Sequence, residues 1–221
     1  MSSAVRPMFP LQSALLPGDM LPLRIFEPRY SRLVQDCLAA AEPAFGVVMI
    51  SRGWEVGGGD VRSDVGAIAR IVEHVDLGGG QYELIAAVGE RIRVTEWLPD
   101  EPYPRAVVEV WPDQPGPPVG PEQIADVIDR ILTLYRRVAE VQGMDLRDDV
   151  LAVDPEVADD PSRHIYALAA RVPMGQADRY AVLAAPTLAE RVSALTDAID
   201  TVAAMVEFQL SDPDLSDPDE T

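Results

Sequence analysis

Residues 111–121 read WPDQPGPPVGP, five Pro and two Gly in eleven positions. Proline locks φ and has no N–H to donate, so neither a helix nor an interior strand runs through such a segment, and the architecture must change across it. The periodicity on its two sides differs accordingly. Before it, short apolar runs punctuated by Gly and Pro read as strands at 8–16, 21–26, 45–51, 65–76, 81–88, 91–97 and 105–111. After it, apolar residues recur at helical spacing. The expected organisation is a β unit over 6–113, a linker over 114–120, a helical unit over 121–210 and a disordered acidic tail over 211–221.

One helix interrupts the strands. Pro28 suits a first-turn position, and Tyr30, Leu33, Val34, Cys37 and Leu38 repeat at i, i+3, i+4, i+7 and i+8. VGAIARIVEHVDL, then Gly78-Gly79-Gly80, then QYELIAAV predicts a hairpin, and Gly89-Glu90 offers a second tight connection into RIRVTEW. Seven short strands, close hairpins and one early helix predict an α+β arrangement, a small, mostly antiparallel barrel capped by that helix. In the second half a long helix runs from Pro121 to the stop at Gly143, with Ile124, Ile128, Ile131, Tyr135 and Val138 as its stripe. Others follow from Asp160-Pro161 to about Val172 and from Gln176 to Ala185. Thr187-Leu188-Ala189-Glu190 is a capping box that opens a last helix, with Leu188, Val192, Leu195, Ile199, Val202 and Val206 facing a core. These helices predict a bundle; a coiled-coil dimer seam is the alternative use of the same stripes.

The chain contains no Lys and no Asn, and its 18 Arg face 37 acids for a net charge of −19. Without Lys there is no Walker phosphate loop, no Schiff-base chemistry and no Ser-Lys dyad. The acidic field opposes nucleic acid and anionic membrane. A single Cys and two His leave no disulfide framework and no zinc motif, so no metal or cofactor is expected. No apolar stretch approaches membrane-spanning length, and a cytoplasmic location is expected.

Candidate chemistry is sparse. No Ser lies in a G-x-S-x-G elbow, and Cys37 falls on the apolar face of its helix as a structural thiol. His74 should point to the polar side of its strand, opposite Ile71, Val75 and Leu77, and His164 sits in a helix first turn. Arg24, Arg29 and Arg32 surround the early helix, while Arg91 and Arg93 alternate on one strand face. If they converge they can hold an anion or a peptide carboxylate; otherwise each pairs with an acid such as Glu27, Glu90 or Asp36. In the loop at 52–64, Trp54 and Val56 are candidate apolar contacts.

MFPLQSALLPGDMLPLRIFEPRYSRLVQD, FGVVMI, DVGAIARIVE, GGGQYELIAAVGERIRV and PYPRAVVEV, in this order and spacing, resemble the N-terminal substrate-recognition domain of the Lon protease family. Pro22, Phe26, Glu27, Pro28 and Tyr30 lie in the most specific segment, and Gly46, Gly66 and Gly89 stand where the family pattern has them. PSRHIYALAARVPM and APTLAERVSAL extend the resemblance to roughly 7–210. It implies a PUA-like barrel followed by an α-helical bundle. It also implies a non-enzymatic recognition or adaptor module that binds unfolded or tagged polypeptides, with a protease or ATPase as partner. A PUA-like RNA-binding protein and a small-molecule-binding regulatory domain are the alternatives. The signature itself reads as packing: Phe26 and Tyr30 bury their rings under the helix, and Glu27 accepts helix N–H groups.

Overall fold

The strand-like runs of the first half become β1 (Ser3–Leu11), β2 (Met20–Ile25), β3 (Ala44–Arg52), β4 (Val61–Gly78), β5 (Gln81–Leu98) and β6 (Arg105–Val110), with helix α1 (Pro28–Ala39) between β2 and β3. The computed structural model describes residues 3–52, 61–147 and 149–211. Two units divide the chain, Met1–Gln114 and Pro115–Thr221.

The strands order as β2-β5-β4-β3-β1-β6, and a further pairing of β5 with β6 closes five of them on themselves, leaving β2 outside the ring. All pairs are antiparallel except β1 with β3. Six strands replace the seven expected, because Gly89-Glu90 makes no turn. The left-handed residues that reverse the chain are Gly78, Gly79 and Gly80, at φ 80°, 63° and 79°. β5 instead runs straight through Gly89 and exchanges neighbours there, pairing β2 through Tyr82–Ala87 and β6 from Ile92 onward. β1 likewise starts earlier than expected and stops at Leu11, serving β6 with residues 3–7 and β3 with residues 8–11.

Two apolar clusters occupy opposite faces of β1, β3 and β4. Phe9, Val47, Ala67 and Ala69 join Leu33, Val34 and Cys37 of α1, while Met8, Val48 and Ile68 join Ile92, Val94, Ala106 and Val108 inside the ring. Burial on both faces explains why β3 is an unbroken apolar run. The ring interior is narrow: a Cβ on Gly46 would stand 2.5 Å from the Met8 sulfur, and one on Gly66 would stand 2.1 Å from the Val47 carbonyl oxygen.

The entry to α1 differs from expectation. Pro28 is at the first turn and Glu27 is the N-cap, but the Glu27 carboxylate caps no N–H. It accepts instead from Arg29 Nε at 3.0 Å. Phe26 is 66% exposed because it stands just past the end of β2, whereas Tyr30 is buried and stacks on Phe9 with centroids 4.2 Å apart. Ser31 Oγ donates to the Gly80 carbonyl, tying the hairpin turn to the helix.

Cys37 is buried, its thiol donating to the Ala44 carbonyl oxygen at 3.4 Å. Burial, followed by the neighbouring Asp36 charge, pushes it from 9.0 up to about 12. Below pH 9 both folded and unfolded thiols hold their proton. From 9 toward 12 only the unfolded state releases it, so stability falls as pH rises, by up to about 1.4 kcal/mol per pH unit. The native thiol should therefore resist a disulfide reagent at pH 8. Cys37→Ala should also lose about 1–2 kcal/mol less than the parent between pH 8.5 and 10.5 in urea titrations. Ready labelling of the folded chain would contradict this burial.

The second unit carries α2 (Pro121–Gln142), α3 (Pro155–Ala158), α4 (Pro161–Ala169), α5 (Gln176–Ala184) and α6 (Leu188–Ser211). Gly143 ends α2 in the left-handed conformation, Asp160 caps α4 through the N–H groups of Ser162 and Arg163, and Thr187 and Glu190 form the reciprocal box of α6. The buried line of α2 is Val127, Ile131, Leu134 and Ala139: Ile131 stands as expected, while burial otherwise falls one position away from Ile128, Tyr135 and Val138. With α4 and α6 packing against it from two sides, its apolar arc turns toward both.

Candidate functional site

The distal halves of β4 and β5, with β2 alongside, make a three-stranded arm. Tyr82, Leu84, Leu21 and Ile25 turn one face toward α1. A register shift between Ile71 and Glu73 inserts Val72 as a bulge, and this controls the other face. Past the bulge the alternation is inverted: Val75 pairs with Glu83 on the open face, and His74 pairs with Leu84 on the helix side. The expected grouping of Val75 and Leu77 with buried Ile71 is thereby overturned. Val72 and Val75 are 53% and 56% exposed, and Leu77 is exposed as well.

The open face forms much of a shallow groove of about 810 Å³, lined from that face by Pro22, Arg24, Val72, Glu73, Val75, Glu83 and Ile85 and reached as well by Leu23, His74 and Leu84. On the helix side, beside the same strand β2, lies a notch of about 140 Å³ bounded by Phe9, Leu11, Leu23, Ile25, Phe26 and Tyr30. The segment from Pro22 to Tyr30 thus separates two openings.

The named arginines do not form one site. Arg24 pairs loosely with Glu83 at 4.0 Å. Arg29 holds Glu27 and lies 4.5 Å over the Tyr30 ring, and Arg32 pairs with Asp36. Arg91 is buried against Asp113 at 2.6 Å, and it shares the Trp111 ring with Arg93, at 4.5 and 4.2 Å from the centroid. Arg91 lies eight positions beyond Glu83 along β5, roughly 27 Å of strand, so Arg24 and Arg91 cannot grip one small anion. Glu90 belongs to Arg70, two hydrogen bonds at 2.8 and 3.1 Å. Trp54 and Val56 lie outside the described residues.

The two histidines lie in different units. His74 is exposed on the arm, and His164 is half-buried in α4, where burial and then the Arg171 charge lower its pKa. Among the described residues no group of three or more His, Cys, Asp or Glu could hold a metal ion, and no helix is long and apolar enough to cross a membrane.

Arg191 in α6 is a residue that sequence reasoning missed. It is fully buried, stacks 4.2 Å over the Tyr166 ring and donates from Nη1 to Ser162 Oγ at 2.7 Å, joining the starts of α4 and α6. The signal was present: Arg191 sits three residues after Leu188 and four before Leu195, on the apolar stripe itself.

The model of the ATP-dependent protease La (LON) substrate-binding domain matches residues 5–201. Among curated proteins, a Lon protease of Anaeromyxobacter dehalogenans is 32% identical over 114 residues, 50% of this chain and 13% of that protein. Lon protease 1 of Herpetosiphon aurantiacus is 27% identical over 195 residues, 86% of this chain and 23% of that protein. The chain therefore spans less than a quarter of these relatives. The crystal structure of a Lon N-terminal domain protein from Xanthomonas campestris superposes with a TM-score of 0.63 at 24% identity, over 88% of this chain and 98% of that one, and so shares the fold. With a mixed six-stranded sheet, its early helix and a helical second unit all accounted for, the chain belongs to the LON substrate-binding domain family.

Proposed function

We propose that this chain is a non-catalytic recognition module that holds unfolded polypeptide segments, handing them to a protease or ATPase partner. The observation that carries the reading is the open face of the arm, where Val72 and Val75 stand exposed on a hydrogen-bonded sheet. Apolar side chains gathered on one exposed face mark a contact surface. Family membership supports it, and the absence of Lys from the sequence removes both the Walker loop and the Ser-Lys dyad as chemistry for this stretch of chain. Glu73 and Glu83 flank the groove against Arg24 alone, which together with the net charge of −19 favours uncharged or basic polypeptide over RNA. A cytoplasmic setting suits this role.

The test is fluorescence anisotropy with a reduced, carboxymethylated protein that cannot refold. Binding is expected for the parent chain and about tenfold weaker binding for Val72→Thr/Val75→Thr, since two apolar contacts of roughly 0.7 kcal/mol each are removed while β-propensity is kept. Equal binding by the double variant, or none by the parent, sinks the reading, as does tighter retention of a single-stranded RNA.

A further inference from the structure

Among the described residues, β2 lies outside the ring with β5 as its sole paired neighbour. Its hydrogen-bonding parity can be assigned. The Asp19 carbonyl accepts from the Val88 N–H at 2.9 Å, and Asp19 continues the register in which Leu21 faces Ala86 and Leu23 faces Leu84. Odd-numbered residues therefore direct their backbone groups at β5, and Met20, Pro22 and Arg24 direct theirs outward. Pro22, which has no N–H, occupies one of these outward positions, as a proline in an edge strand must. Among the described residues no backbone hydrogen bond reaches the outward groups of Met20, Pro22 or Arg24. The edge thus offers N–H groups at Met20 and Arg24 and carbonyls at Met20, Pro22 and Arg24. The groove of Pro22, Arg24, Val75 and Ile85 opens on one side of it, and the notch of Leu11, Leu23, Ile25 and Phe26 on the other.

We propose that an extended client segment adds to the free edge of β2 as a further strand, its alternate side chains entering the notch and the groove. The inference rests on the polypeptide-binding reading and names its mode. Unpaired strand donors and acceptors select an extended backbone as occupant, and two openings on opposite faces of one edge match the two-residue period of its side chains. The notch is apolar apart from Arg24 and Glu27, and Glu73 and Glu83 flank the groove, so the preferred segment alternates apolar and uncharged or basic residues. Pro22 confines pairing to a few residues and discourages long edge-to-edge association.

The experiment uses a fluorescein-labelled ten-residue peptide of alternating Val and Thr flanked by Arg, and the same peptide N-methylated at its two central residues, which blocks both of its edges. Arg24→Ala should bind the first peptide within about threefold of the parent. Arg24→Pro, which removes an outward N–H and no bond to β5, should bind at least tenfold more weakly while keeping its melting temperature. The methylated peptide should lose at least tenfold on the unaltered chain, which decides the matter even if Arg24→Pro folds poorly. Methylated and unmethylated peptides binding alike would overturn strand addition; if the carboxymethylated protein is still held, the polypeptide-binding reading survives. A sedimentation dimer dispersed by Arg24→Pro would overturn the client assignment in favour of a second copy of this chain.

Discussion

Gly66→Ala is expected to destabilise the first unit by about 3 kcal/mol, the upper end of what overpacking costs, and to lower its melting temperature by roughly 10 °C. The added methyl would stand 2.1 Å from the Val47 carbonyl oxygen and 2.7 Å from Val48 Cγ1. Gly66 sits inside the ring, facing Val48 of β3 and Ile92 of β5, so the obstructed atom is backbone held on both sides by ladder bonds. Strands about 4.8 Å apart cannot separate locally without breaking those bonds. Gly89→Ala is the control. Its Cβ would meet the end of the Arg70 guanidinium at 2.9 Å, and that side chain is surface-exposed and can swing aside. A loss under about 1 kcal/mol is expected there. Thermal melts of the two variants side by side check the pair, and equal losses would mean that the approach of β3 to β4 is looser than described.

Much of the fold was legible because its signals are local. Proline at the first turn of α1, Asp160 before Pro161, the Thr187 and Glu190 box and the left-handed Gly143 each satisfy or release backbone groups within a few residues, and all four helix ends form where that chemistry lies. What escaped was decided by pairing. Gly89-Glu90 has turn composition, but β4 pairs with β5 on both sides of it, Val88 with Ala69 and Arg91 with Ala67, so the strand continues and the two residues are taken up in a register shift. Gly66 could be placed by resemblance, whereas its reason, a carbonyl 2.1 Å from the missing methyl, exists only once β3 is laid against β4.

The candidate site was less legible for the same cause. A one-residue bulge at Val72 inverts which residues of β4 face outward, and nothing in VGAIARIVEHVDL marks it. Simple alternation put Val75 and Leu77 in the core, so the apolar face that now carries the functional reading was hidden by the rule that found the strand. The arginines were grouped by nearness in sequence, and the sheet then set Arg24 and Arg91 at distant points of one long strand system, each with an acid of its own. Phe26 was read as core because aromatic residues beside a helix entry usually are, yet the end of β2 leaves it exposed beside the notch.

Arg191→Ala should be the most damaging single change in the second unit, costing about 4 kcal/mol. The truncation removes a long stem from a fully buried position, the stacking on Tyr166 and the hydrogen bond to Ser162, and it leaves a cavity between α4 and α6. Arg191→Met keeps most of the volume and should recover roughly half of the loss, which divides packing from polar contacts. Arg191→Lys should fall between them, because an ammonium cannot stack as a planar guanidinium does. Hydrogen exchange at the amides of α4 and α6 reads the effect, with the amides of β4 and β5 as the internal reference for the first unit. A loss below about 1 kcal/mol for Arg191→Ala would show that the buried guanidinium contributes little. The same variant bears on recognition. If Arg191→Ala retains the carboxymethylated protein with first-unit exchange unchanged, recognition belongs to the arm of β2, β4 and β5; if retention falls in step with opening of α4 and α6, the helical unit contributes surface of its own.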